Sequence, residues 1–200
     1  MKILSILIFN LSNTNPTILS SAFSLSSFSF MIRKEVKEFL IFHSRLVIER
    51  VAPESNSQVK LEKGICYAIS FLDKIGISMI CDDEYPKRVA IDFLLKIYDN
   101  FKSFIKEKNI DISVYTDDTN LKFEYIKTGI DEWQDPTKKD NLMMLQNELN
   151  EVKNIMVKNI EELMNRGESL ESLIKKSKDL SETSKNYYDQ SKRTNRCCNL

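Results

Sequence analysis

The sequence predicts an α+β fold, an antiparallel sheet covered by helices, followed by a long helical coiled-coil segment. Three observations predict it. Over the first two thirds of the chain, short β-favouring runs alternate with stretches of helical period, a pattern that builds one layered core. After Gln134-Asp135-Pro136 the composition shifts to Lys, Glu, Asn and Leu. Beyond that boundary, residues step in alternating threes and fours through Leu142, Leu145, Leu149, Val152, Met156, Asn159, Leu163, Arg166, Leu170, Leu173, Ser177, Leu180, Ser184, Tyr187, Ser191 and Thr194. That alternation averages 3.5 residues, the period that keeps one helical seam facing partner helices.

Taken in order, residues 2–9 and 17–25 read as two strands joined by a polar Asn/Ser/Thr-rich turn. The apolar start is a strand in this reading and not a signal peptide. The run is short, Asn10 and Asn13 interrupt it, and no small-residue cleavage site follows closely. Residues 33–51 read as a helix that is apolar on more than one side. Val36, Leu40, His43, Val47 and Val51 form the main stripe, and Phe39, Phe42 and Leu46 widen it. A helix that only covers a sheet needs a stripe of about 100°. The surplus at Phe39, Phe42 and Leu46 marks them as a docking surface for a second partner.

Residues 52–60 read as loop, with a further strand ahead of the next hairpin left open. Residues 64–72 and 75–82 form that hairpin, because Asp73-Lys74 separates two β-favouring runs and Gly76 permits the turn. Asp82-Asp83-Glu84 before Tyr85-Pro86 is a helix start, with carboxylates at the positive end and proline near the first turn. Val89, Ala90, Phe93, Leu94, Ile97, Phe101, Phe104 and Ile105 then follow at helical spacing. A strand is expected at Ile112 to Tyr115, then a helix containing Leu121, Tyr125 and Ile126. The organisation is a domain at 1–130, a linker at 131–139, a coiled-coil motif at 140–195 and a C-terminal tail at 196–200.

Composition excludes several classes. Basic and acidic residues balance at 29 each, so no global field points to nucleic acid. No stretch of eighteen apolar residues exists to span a bilayer. An enzyme is not expected: there is no phosphate-binding glycine loop, no metal-ligand spacing, and one histidine, His43, on an apolar helix face. Cys66 and Cys81 fall in apolar segments and are expected to be reduced core thiols.

Arg166 is the most informative residue. An unpaired charge buried in the seam costs several kcal/mol, so its partners must bring acceptors to that level. Asn159, Ser177, Ser184 and Ser191 make the seam too polar for a strong homodimer, and two facing Arg166 side chains would repel. A heteromeric bundle fits better.

These residues resemble the longin-domain R-SNAREs, the synaptobrevin-like v-SNAREs, in their lipid-anchored form without a membrane span. In the first domain the resemblance rests on Ser26-Ser27-Phe28-Ser29-Phe30, Lys37-Glu38-Phe39, Phe42, Val47-Ile48-Glu49-Arg50, and Asp83-Glu84-Tyr85-Pro86 with Arg88-Val89-Ala90. In the tail it rests on Gln146-Asn147-Glu148-Leu149, Arg166-Gly167-Glu168, Leu170, Leu173 and Lys176-Ser177. It implies a profilin-like longin domain, a five-stranded sheet between one helix and two. It also implies a SNARE motif whose central layer, here Arg166, meets three glutamines from partner helices in a four-helix bundle. Leu142, Leu145, Leu149, Val152, Met156, Leu163, Leu170, Leu173 and Leu180 would be the flanking layers.

By the same resemblance the function is vesicle docking and membrane fusion on cytosolic faces of Golgi, ER and endosomal membranes. The longin domain would hold its own SNARE motif in a closed, autoinhibited form. No metal or dissociable cofactor is implied, only covalent prenyl and palmitoyl lipids on Cys197 and Cys198. The tail departs from the family pattern of two cysteines and three further residues, since only Asn199 and Leu200 follow. A strict C-a-a-X box begins at Cys197; alignment to the family places the prenyl on Cys198. Both assignments stand. The rival reading is a longin-type adaptor whose coil recruits an effector without driving fusion, and a buried cation in register speaks against it.

Overall fold

The computed structural model describes residues 2–137, 139 and 156–197, with side-chain burial described as far as Lys192. Five strands form an antiparallel sheet: β1 (Ile3–Asn10), β2 (Thr17–Phe23), β3 (Asn56–Lys60), β4 (Ile65–Ser70) and β5 (Ile75–Cys81). A sixth, β6 (Met156–Asn159), comes from the C-terminal segment, and the order is β2-β1-β5-β4-β3-β6. The three central strands are almost wholly buried, which is why they read as apolar runs without alternation.

Each face of the sheet carries its own cluster. On one face α2 (Lys87–Glu107) and α3 (Tyr125–Glu132) pack Phe93, Leu94, Ile97, Phe101, Ile126 and Ile130 over Ile6, Ile8, Tyr67, Ile77 and Met79. The chain stays tied to this body through Gln134. Phe93 stacks on Trp133 at 4.5 Å, Tyr85 donates to the Trp133 carbonyl at 2.8 Å, and the Gln134 amide bonds both backbone groups of Ile3. On the other face lies α1 (Arg33–Arg50), packed over Leu7, Phe9, Val59, Cys66, Ala68 and Ile80. The α+β class and the layering of one helix against two follow the sequence expectation.

Two local expectations are corrected. Residues 52–60 are not all loop, because Asn56–Lys60 is strand β3. Ser57 and Val59 point inward opposite Ala68 and Cys66, whereas Gln58 and Lys60 leave no apolar run to see. Ile112 to Tyr115 is no strand but a 3-10 turn at Ile112–Val114, closed by Asp111 accepting from the Ser113 amide. Its outward carbonyls are taken by side chains, Asn10 to Ile112 and Tyr115, and Thr17 to Tyr115. The helix that follows begins at Tyr125, beyond Leu121, because Lys122 adopts φ 53°, a conformation no right-handed helix accommodates.

The C-terminal segment is helical over much of its described length but is not one uninterrupted rod. After β6 come a 3-10 turn (Ile160–Leu163), α4 (Leu170–Lys176) and α5 (Glu182–Cys197). A turn at Asn165–Glu168, with Gly167 at φ +87°, and the bend at Ser177–Ser181 break it. The physical reason is the partner: the segment pairs its first described residues with the edge of β3 and packs later ones beside α1, contacts that one straight helix does not make together.

Candidate functional site

The second apolar cluster joins α1 to the C-terminal segment. Leu40, Phe42, Leu46 and Val47 share it with Ile160, Leu163, Leu170, Ile174, Leu180 and Tyr188, all buried. Phe39 meets the Tyr188 ring at 6.0 Å between centroids. The surplus apolar surface of α1 is therefore covered by this chain's own segment. Ile48 of the same cluster faces the sheet at Gly76 of β5, where an added Cβ would lie 2.7 Å from its Cγ1. One helix thus packs a sheet with one side and the segment with another.

Polar ties flank the apolar contact at three levels of α1. Glu38 accepts from the Ser181 amide and the Ser184 hydroxyl, each at 2.8 Å, and Ser184 is fully buried. Arg45 grips both Asp179 oxygens, at 2.9 and 3.1 Å, a fork geometry that fixes orientation as well as charge. The same guanidinium reaches Asp118 at 2.6 Å and the Pro16 carbonyl, so it ties the segment to two loops of the domain. Arg50 donates to Glu168 at 3.0 Å. Farther out, Lys192 of α5 pairs with Glu171 of α4.

Burial pushes the Glu38 carboxyl up, but the hydrogen bonds from Ser181 and Ser184, with Lys34 nearby, outweigh it and hold it below the ordinary value. The Asn165 amide and Arg50 lower Glu168, and Lys192 lowers Glu171. Burial lowers His43, whose Nδ1 lies 2.8 Å from the Phe39 carbonyl, consistent with a neutral core histidine packed on Phe42. Burial raises the Cys66 and Cys81 thiols far above their usual range, and they are inert core groups.

The seam residues divide. Leu163, Leu170 and Leu180 are buried against the domain, Leu173 is partly buried there, and Met156 is exposed on β6. Arg166 is exposed in the turn at Asn165–Glu168. Leu142, Leu145, Leu149, Val152 and Cys198 lie outside the described residues, and Cys197 ends α5 with its side chain undescribed. Phe39, Phe42 and Leu46 are brought together with the segment. Sequence reasoning missed Ile160, Ile174 and Tyr188, each one position after a seam residue, and every polar tie. The flanking apolar residues leave a signal in the sequence, a second apolar row one position behind the seam; the ties join residues more than a hundred positions apart and leave no periodic trace.

Among the described residues, no helix is long and apolar enough to cross a membrane and no cluster of side chains is suited to hold a metal ion.

Comparison with known proteins agrees with this two-part arrangement. Residues 25–128 match the longin family, described as a regulated-SNARE-like domain, and residues 141–199 match the synaptobrevin family. Over 204 residues the chain is 34% identical to the VAMP-like protein YKT61 of Arabidopsis thaliana, covering 100% of both proteins. It is 35% identical over 201 residues to the synaptobrevin homolog YKT6 of Debaryomyces hansenii, and 34% over 198 residues to the synaptobrevin homolog ykt6 of Schizosaccharomyces pombe. Each covers 99% of this chain and 98% of the relative. With a longin sheet holding a synaptobrevin segment on its single-helix face, the chain belongs to the longin-domain R-SNARE family, in its Ykt6-type branch.

Proposed function

We propose that this R-SNARE acts in vesicle trafficking by contributing one helix to a four-helix bundle with three glutamine-bearing SNARE helices, and that the conformation described above is its closed, autoinhibited state. One observation carries the reading: Leu163, Leu170 and Leu180, which the bundle would need as layers, are already buried in the apolar cluster that α1 shares. A side chain cannot face both partners, so the closed form and the bundle exclude each other. Arg166 supports it from the other side. It is exposed here and would enter the central layer only on zippering, when glutamine acceptors replace water around the guanidinium.

In this proposal the units are the longin domain at 1–130, a linker at 131–139, the motif at 140–195 and the tail at 196–200, with Leu142, Leu145, Leu149, Val152, Met156 and Leu173 completing the flanking layers. Anchoring is by lipid on Cys197 and Cys198, with Lys192, Arg193 and Arg196 adding attraction to an anionic leaflet of about 1 kcal/mol each. Two such signals hold a protein on a membrane where one chain is marginal. The membranes served are the cytosolic faces of Golgi, ER and endosomal compartments.

Mixing the full chain with glutamine-SNARE helices tests the reading. An SDS-resistant four-chain complex is expected, forming faster once the contact with α1 is broken by substitution. A chain that binds one effector coil and forms no such complex would instead be an adaptor.

A further inference from the structure

The two most exposed large apolar side chains among the described residues are neighbours: Phe30 at 83% and Met31 at 84%. They sit on the 3-10 turn Phe30–Ile32 that leads into α1. This tip is held by its own bonds. The Phe28 amide donates to the Leu25 carbonyl, the Ile32 amide to Ser29, and the Arg33 Nε to the Phe28 carbonyl at 3.1 Å. An apolar pair presented on a fixed turn has no packing explanation, since neither residue belongs to either core cluster.

Its neighbours carry positive charge. Lys34 is 77% exposed, Lys37 is exposed with its ammonium 5.0 Å over the Phe23 ring, and Arg33 is bound to the tip itself. Of the two nearby carboxylates, Glu35 is only partly exposed, and Glu38 gives one oxygen to Ser181 and Ser184 and holds the other 3.9 Å from the Lys34 ammonium. Aromatic and thioether side chains flanked by lysines suit a headgroup boundary, where the apolar groups enter and the ammonium groups stay at the anionic surface.

We propose that Phe30 and Met31, with Arg33, Lys34 and Lys37, form a membrane-contact site for an anionic lipid surface. The SNARE segment leaves the site uncovered, since Phe30, Met31, Lys34 and Lys37 are all exposed while the segment is docked. The site therefore operates in the closed form, and gives the longin domain its own grip on the bilayer before the segment is released.

The test uses the full chain carrying Phe30→Trp and a C-terminal histidine tag, tethered to vesicles through a nickel-chelating lipid. The native Trp133 is buried and serves as the silent background. With phosphatidylserine vesicles containing brominated lipid, emission from the introduced indole should shift to the blue and be quenched, while the parent chain's emission is not. A tethered Phe30→Trp chain whose added emission is neither shifted nor quenched overturns the proposal. In flotation of the untethered chain, Phe30→Ser with Met31→Ser, and separately Lys37→Glu, should each lower the bound fraction by roughly tenfold or more. Circular dichroism should stay unchanged, since all three residues are exposed. Equal flotation on neutral and anionic vesicles overturns it, as does the serine pair floating normally while losing a protein partner.

Discussion

Leu163 and Arg166 are adjacent in the heptad row, yet one is 8% exposed within an apolar cluster and the other stands in solvent on a turn. Substituting each therefore separates the closed form from the bundle. Arg166→Leu should leave the closed form within about 0.5 kcal/mol of the parent, as surface changes do, while altering bundle register or disassembly. Leu163→Arg should weaken the closed form by about 3 kcal/mol, through lost burial and an uncompensated charge. Hydrogen exchange of the 156–163 amides reads the first property and a fusion assay the second; identical behaviour of the two variants would remove Arg166 from the central layer. Asp179→Ala should be milder. It strips Arg45 of its fork but leaves Asp118 and the Pro16 carbonyl, so a loss of about 1–2 kcal/mol from the closed state is expected. The rate of protease cleavage within the segment measures it.

At the scale of elements, the contact between α1 and the segment depends on carboxylates held in their charged form. Glu38 and Glu168, which meet Ser181, Ser184 and Arg50 across that contact, lie below the ordinary value while the segment is docked. A group depressed in one state stabilises that state above the free value, about 4.3 for glutamate, and the stabilisation is lost as pH falls through the depressed value. The closed form should therefore open on acidification below about 4. Hydrogen exchange on β3, whose outer edge β6 covers in parallel register, should rise over that interval before the protection of β1 and β5 falls. Glu38→Gln should flatten the response, because a neutral amide still accepts from Ser181 and Ser184 but no longer titrates.

At the scale of the whole molecule, two halves of one interface can be broken independently. Phe42→Glu places a carboxylate inside the cluster from the α1 side, and Tyr188→Glu does so from the segment side without touching the longin core. Both should release the segment, increase the hydrodynamic radius, raise protease sensitivity around residues 132–140 and speed assembly with glutamine-SNARE helices. Near-ultraviolet dichroism from Trp133, which packs on Phe93 across the sheet, should persist in both. If Tyr188→Glu keeps the parent radius and cleavage pattern, the docked state does not restrain the segment.

The sequence by itself determined the parts. Apolar runs of strand length, the helical stripe at α1, the acidic start before α2 and the 3.5-residue seam are local patterns, each created by neighbours along the chain. The excess apolar width of α1 even announced that something must cover it. What covers it was decided only in three dimensions. β3 is polar at every residue but Val59 and becomes a strand because Val59 finds Cys66 and Ser57 finds Ala68. The Ile112–Val114 turn is held because Asn10 at the end of β1 and Thr17 at the start of β2 donate to the carbonyls of Ile112 and Tyr115. The seam itself states a period suited to partner helices, while the fold bends it over α1, where Glu38, Arg45 and Arg50 meet Ser181, Asp179 and Glu168. A repeat records which residues share a face; it holds no record of which surface that face will meet, because that depends on contacts closed across loops of more than a hundred residues.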